Sequence, residues 1–595
     1  MANSVIAIVG ARLSSSRLPA KHLLPILEKP VIEHVFKRLS FSRYIDKSVL
    51  ATTTEESDKP LIEWAKNQDF SFEAYPGPVN RLVDRVQAVV KDYDPDVVVY
   101  LCGDCPLVDP DVIDAMIQQL NDSQAMLATL IPEQKEIEGS GQQSINEGMQ
   151  VFSREGWDLL VESSVDADHQ EHVGSVLKKQ TLQEKIPVAK TKIDSIYFQL
   201  QHRISLDTHA DYCFLKRVYQ CWYKDNDDAT IVSLPWVIRL ILNNEDIKKI
   251  NRHVVQRVVG KVPSVLVLTQ ASEEKGLGHL IRSIRACFAF QEYWGAGTKL
   301  FVLGNRLSHP LLSFVNHEFF PNSNHLEDRI EECINSHQLD CVALDFHSSF
   351  AFVSEKVLSC INSKKVPCRV TIDRQVPGVN ADLHWVPCFL DLGFTENDSQ
   401  HYSGWDSYFL PNSGEVNRDL KSTDNIVIIS GGSDAFGLGE TLPSLLDTHL
   451  KKPMEFTWVQ GPLATRPFIP QDTCHQWTIK KNPRELQEIL LRAKCIIGVY
   501  GVSAIEAMAQ GKAVILLDPN NRFEREIKTL VEMGIALFAE NQEQVSILLY
   551  RLVHDHNLIQ ALEYASRRAF HDGAESFVSS VKNILDKKRG NHAQR

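Results

Sequence analysis

The chain has 595 residues, 43% hydrophobic and 23% charged, ordinary proportions for folded protein and enough for three to four domains of ~150 residues. Lys and Arg number 63 against 76 Asp and Glu, a net charge of -13, and no long basic run offsets it. A general nucleic-acid binder is therefore excluded, though a local basic pocket is not.

No basic stretch precedes an apolar run at the start, and no apolar run is long enough to span a bilayer. The expectation is a cytoplasmic protein without a membrane span. Twelve Cys are scattered, with Cys102 and Cys105 as a lone Cys-x-x-Cys pair, and read as free thiols.

Val5 to Val9 is an apolar run and reads as a buried strand. Gly10 ends it, and the chain continues as Ala11-Arg12-Leu13-Ser14-Ser15-Ser16-Arg17-Leu18-Pro19-Ala20-Lys21. Three hydroxyls and three cations in one loop can gather phosphate oxygens, although by spacing alone a solvated basic loop is the simpler reading. No Gly-Lys-Ser/Thr ending is present, so it is not a P-loop. Helices follow over Val31–Leu39, Pro60–Lys66 and Arg81–Val90, with strands over Ser48–Thr53 and Asp96–Leu101. This alternation predicts a parallel sheet wrapped by helices, with ligands at the carboxyl ends of its strands. Asp104 emerges there in Cys102-Gly103-Asp104-Cys105-Pro106, and Asp109 before Pro110 reads as a helix cap.

The loop sequence resembles the nucleotide loop of cytidylyltransferases that make CMP-sugars, the sialic acid, Kdo and spore-coat polysaccharide types. Their usual pattern is Ala-Arg-x-x-Ser-x-Arg-Leu-Pro-Gly-Lys, and Ala20 replaces the Gly. Further similarity lies in Ala51–Thr54 with Asp58, in Gly77–Arg85, in Glu171-His172-Val173 and in Leu206-Asp207-Thr208 with Asp211. Asn80 stands where Asp is usual. Gly148 and Gln150 stand where spore-coat types carry acids, which touches the acceptor sugar rather than CTP. The resemblance implies Mg²⁺ on Asp104 and Asp207 and CTP contacts from Ala11, Arg12, Ser15, Arg17, Lys21 and Arg85. Arg12, Lys21 and Asp104 would act in the transfer of the cytidylyl group from CTP to an acidic sugar, with Asp211 a helix-terminus residue.

A strand restarts at Val265–Leu268 and runs into Gly276-Leu277-Gly278-His279, with more strands at Lys299–Leu303, Cys341–Leu344 and Val370–Ile372. A second series begins at Asn425–Ile429, where Gly431-Gly432-Ser433 offers backbone N–H groups to a diphosphate. Ser503 and Glu506 then open a helix that reads either as a ribose and phosphate site or as a capped helix. Two Rossmann-like halves describe a GT-B architecture. From about 264 to 540 the chain resembles the UDP-sugar hydrolase of the pseudaminic acid pathway, which implies His279 as the base and a UDP-sugar ligand. Leu268, Gln270 and Ile505 depart from its pattern.

The expected organisation is α/β: a cytidylyltransferase domain over 1–245, a linker over 246–262, GT-B-like lobes over 263–415 and 416–586, and a frayed basic tail over 587–595. The expected protein is bifunctional in surface-glycan synthesis, acting on a nonulosonic acid, with a homodimer left open. The alternative makes the second half a glycosyltransferase or a non-catalytic nucleotide-sugar-binding module.

Overall fold

The computed structural model describes residues 3–133, 148–179, 182, 185–257, 262–274, 276–390, 392, 400–412, 414–415 and 422–593. Asn146 and Glu147 of the motif around Gly148, and Gln594 and Arg595 of the tail, lie outside these. Two compact units divide the chain, Met1–His253 and Val254–Arg595. Among the described residues no helix is long and apolar enough to cross a membrane.

The division falls inside the segment expected as a linker. Its first part is built into the first unit. Asn244 caps a short helix, Glu245–Lys249, and Asn251 donates to Asp211 Oδ1 at 2.9 Å.

In the first unit the strands are β1 (Val5–Gly10), a small hairpin of β2 (Pro25–Ile26) and β3 (Lys29–Pro30), β4 (Lys47–Thr53), β5 (Ser71–Tyr75), β6 (Val97–Cys102), β7 (Leu127–Pro132), β8 (Met149–Ser153) and β9 (Val188–Ile193). The main sheet runs β5-β4-β1-β6-β8-β7-β9, with β8 antiparallel to both neighbours. β1 lies between β4 and β6 and is buried on both faces, which is why it reads as an unbroken apolar run.

The second unit holds two sheets. The first contains β10 (Ser264–Gln270), β11 (Gly297–Leu303), β12 (His317–Phe320), β13 (Cys341–Asp345), β14 (Cys368–Ile372), β15 (Leu383–Val386) and β16 (Gln400–Ser403), ordered β12-β11-β10-β13-β14-β15-β16. The second contains β17 (Ile426–Ile429), β18 (Glu455–Gln460), β19 (Gln476–Lys481), β20 (Cys495–Val499), β21 (Val514–Leu517) and β22 (Leu537–Ala539), ordered β19-β18-β17-β20-β21-β22. Every pairing in both sheets is parallel. Each begins with the 3-2-1-4 order of a Rossmann sheet, so the unit has the two-lobed architecture expected.

The end of the chain corrects the expected boundaries. Helix Ala574–Ala593 packs on helix Gly278–Trp294 and on β14 and β15, so it belongs to the first lobe rather than the second. Phe577 decides this: it is fully buried, 5.1 Å from the Phe290 ring and 5.2 Å from Trp385, centroid to centroid. The basic tail is not frayed at its start either. Lys588 donates to Asp382 Oδ1 at 2.6 Å, and Arg589 pairs with Asp340 at 3.1 Å.

Candidate functional site

All three sheets place chemistry at one kind of position. Beside the central strand of each, the strand order reverses and the loops that follow diverge, leaving a crevice at the carboxyl ends. In the first unit the loop after β1 and the segment after β6 flank that crevice. Ala11 continues the ladder by donating to Ala51 O at 3.1 Å, so its N–H is used in the scaffold. Leu13 N–H donates to the buried Asp58, Ser15 Oγ accepts from Leu18 N–H at 3.2 Å, and Ala20 N–H closes the loop on Leu13 O at 3.0 Å. Ala20 itself lies in the left-handed region, φ 49° and ψ 29°, which explains why Gly is the usual residue there.

That turn sends Lys21 inward. Its Nζ donates to Asp104 Oδ2 and, at 2.8 Å, to Asp207 Oδ1. Asp207 also receives Arg17 Nη2 at 2.9 Å and Arg203 Nη2. Burial alone would lower the Lys21 pKa, but the charges of Asp104 and Asp207 overcome it and hold it above its ordinary value. Burial likewise opposes the ionised form of Asp207, and Lys21, Arg17 and Arg203 together hold its carboxyl well below the usual range. Asp211 accepts from Asp207 N–H and Thr208 N–H, both at 3.0 Å, and completes a capping box on helix His209–Tyr223.

A second cationic wall stands beside this. Arg12 Nη1 and Arg85 Nη2 both donate to Val79 O, at 3.3 and 2.6 Å. Arg12 also pairs with Glu171 at 2.9 Å. Among the described residues no carboxylate pairs with Arg85, and burial followed by the charge of Arg12 lowers its pKa. Its Nε and the Nη1 of Arg17 are buried donors without a partner. Such donors suit the oxygens of an oligophosphate. Gly148 has φ +73°, and a Cβ there would lie 2.9 Å from Cys105 Sγ, so the usual acid has no room. Gln150 turns away and donates to Val173 O at 3.3 Å.

In the second unit a cleft of ≈ 930 Å³ is lined by residues of both lobes. His279, in the first turn of helix Gly278–Trp294, puts Nδ1 2.7 Å from Asp345 Oδ1, at the end of β13. Arg282 Nη2 also lies 3.0 Å from this Nδ1; a neutral ring donating from Nδ1 to Asp345 would have Nε2 as its acceptor. Arg282 clamps Asp345 through both oxygens at 2.7 Å and reaches Asp373 Oδ2 at 3.0 Å. Across the cleft Gly431, Gly432 and Ser433 follow β17. A Cβ on Gly432 would lie 2.4 Å from Leu277 Cγ, so this close approach requires glycine. Ser503 sits in the first turn of helix Val502–Ala509, whose Val502 lies beside Gly278, so that two helix N-termini converge on the cleft. Glu506 is buried, with Oε1 accepting from Arg285 Nε and Oε2 from Gln487 Nε2, each at 2.8 Å. Its carboxylate bridges the two lobes where it lines the cleft.

Known proteins resemble the first unit. Residues 6–228 match the profile described as Cytidylyltransferase. The spore coat polysaccharide biosynthesis protein SpsF of Bacillus subtilis is 26% identical over 222 residues, 37% of this chain and 87% of that protein. Residues 6–228 form a cytidylyltransferase domain. A 3-deoxy-manno-octulosonate cytidylyltransferase of Methylorubrum populi is 33% identical over 125 residues, 21% of this chain and half the length of that relative. Among solved structures, MurG of Acinetobacter baumannii aligns over 55% of this chain and 100% of its own, at 15% identity and a TM-score of 0.38.

The cytidylyltransferase domain brings Arg17, Lys21, Asp104 and Asp207 together, with Arg12 and Arg85 alongside. Two carboxylates meeting one ammonium are hard oxygen donors converging on a cation, a donor set that suits Mg²⁺. Sequence reasoning missed Arg203, which lies four residues before Asp207 inside the same motif. It also missed Asp345, Arg282 and Arg285. Asp345 could have been found, because it ends the strand beside β10 at the crevice.

Proposed function

We propose that the first unit is a Mg²⁺-dependent CTP:sugar cytidylyltransferase acting on a nonulosonic acid. The observation that carries this reading is the cluster of Arg17, Lys21, Asp104 and Asp207 at the crevice between β1 and β6. Arg12, Arg17, Lys21 and Arg85 would bind the triphosphate and stabilise charge as pyrophosphate leaves. Mg²⁺, held by Asp104 and Asp207, would supply further charge neutralisation at the reacting phosphate. The neutral Gly148 and Gln150, where related enzymes carry acids, favour an acceptor that is itself anionic. The test is pyrophosphate release from CTP and Mg²⁺ with a panel of nonulosonic acids. Release with one acid, lost in Asp104→Ala, is expected; no release with any acid would overturn the acceptor class.

The second unit, in this reading, binds a UDP-sugar and hydrolyses it. His279 Nε2 would take a proton from water as water attacks the anomeric carbon and UDP departs. The Asp345 contact supports the base role by orienting the ring through Nδ1. The same base could instead serve a sugar hydroxyl, and Leu268 and Gln270 favour a changed substrate over the resembled one. UDP release with and without an acceptor sugar separates hydrolysis from transfer. Unchanged rates in His279→Ala would remove His279 from the base role, and no UDP release under either condition would make the unit a binding module. The whole enzyme is proposed to work in the cytoplasm.

A further inference from the structure

Lys21 Nζ is bonded to the same two carboxylates that suit the metal. Lys21 is 9% exposed, and burial makes an unpaired ammonium there costly. A cation entering between Asp104 and Asp207 must therefore give Lys21 another anion.

Among the described residues the local charge leaves none over. Arg17, Lys21 and Arg203 face Asp104, Asp207 and Asp211, three cations against three carboxylates. Arg12 is matched by Glu171. Arg85 pairs with no carboxylate among the described residues, and the buried Asp58 already accepts from Leu13 N–H and the Thr53 hydroxyl. His22, against Gly103, is held neutral, its pKa pushed down to about 4 by burial and then by Lys21. A divalent ion arriving alone would meet a cluster without net negative charge. A triphosphate reverses that balance, and its oxygens offer Lys21 a new partner.

We propose that Lys21 and the divalent metal compete for Asp104 and Asp207, so that the site takes up the metal together with CTP and not before it. Lys21 is in this sense a positioning residue: it holds the two carboxylates together, then moves to phosphate oxygens when the metal takes its place. The coupling is reciprocal, so metal and CTP each raise the other's affinity. This rests on the cytidylyltransferase reading above.

The test is Mn²⁺ binding to the full-length chain, followed by loss of the free-ion EPR signal, without acceptor sugar so that no turnover occurs. Native protein, Lys21→Met and Lys21→Arg are titrated with and without CTP, corrected for Mn²⁺ bound to CTP in solution. Without CTP, Lys21→Met should bind Mn²⁺ about tenfold tighter than native or better, while Lys21→Arg, which keeps the cation, stays near native. CTP should tighten Mn²⁺ binding to native by about tenfold or more and to Lys21→Met much less. Equal affinity of native and Lys21→Met without CTP, in proteins with matching thermal melts, overturns the proposal. Should Lys21→Met not fold, the native protein decides alone: Mn²⁺ bound equally well with and without CTP also overturns it. Failure of native to bind Mn²⁺ even with CTP overturns the underlying cytidylyltransferase reading as well.

Discussion

His279 shows how one neighbour sets the chemistry of a residue. Asp345 orients the ring through Nδ1, and Arg282 holds Asp345 in place. Burial opposes the Asp345 charge, but Arg282 and then His279 overcome it and keep the carboxyl below its ordinary range. Asp345→Asn keeps the shape and removes the charge. If His279 is the base, kcat for UDP-sugar turnover should fall by roughly 10²-fold or more with KM little changed, read from steady-state kinetics. An unchanged kcat would remove His279 from the base role. Ala20 is the opposite case, a residue that strains its own backbone at φ 49°. Ala20→Gly should stabilise the first unit by about 1 kcal/mol, read as a higher midpoint in urea. The sequence marked Ala20 as a departure from a pattern; the left-handed turn that makes it matter is visible only in the folded loop.

At the scale of elements, the central strands of all three sheets are readable because parallel strands buried on both faces are uniformly apolar. β1, β10, β13, β17 and β20 each appear in the sequence as such runs. Helix Val31–Leu39 carries a consequence for pH. His34 on it contacts Ile26 O at 2.9 Å through Nε2, and burial lowers its pKa to about 4. An unfolded imidazole takes a proton below about pH 6.5, the folded one only below about 4, so the unfolded state binds more protons between them. Stability therefore falls as pH drops through that window. His34→Gln keeps a donor for Ile26 O and removes the titration. Between pH 7 and pH 5 native protein should lose about 2 kcal/mol more than the variant, measured by urea unfolding of each. Helix Ala574–Ala593 was not legible in this way. Its basic end suggested a loose tail, whereas Phe577 finds Trp385 on β15 and Lys588 finds Asp382 just before that strand, far back along the chain.

For the whole molecule, the division between His253 and Val254 predicts that each part folds by itself. On the proposed function, a fragment of residues 1–253 should by itself release pyrophosphate from CTP, and residues 254–595 should by themselves turn over the UDP-sugar. Both are read by assaying each fragment beside the intact protein. A fragment 1–253 that folds by circular dichroism yet releases no pyrophosphate would show that the first site is incomplete without the second unit. A cut at 245 is expected to do worse, because it removes Asn251 and its bonds to His202 and Asp211.

By itself the sequence determined the alternation of strands and helices, the loop of cations after β1, Asp104 after β6, and the histidine at the head of the second unit. These are local: an apolar run, a turn and the residues just beyond it lie within a few positions of one another. Only the tertiary structure decided which charges meet. Lys21 reaches Asp207, Arg285 reaches Glu506, and Asp345 reaches His279 across long stretches of chain. Such partners are chosen by strand order and by the geometry of the crevice, which leave no mark in the spacing of residues along the chain.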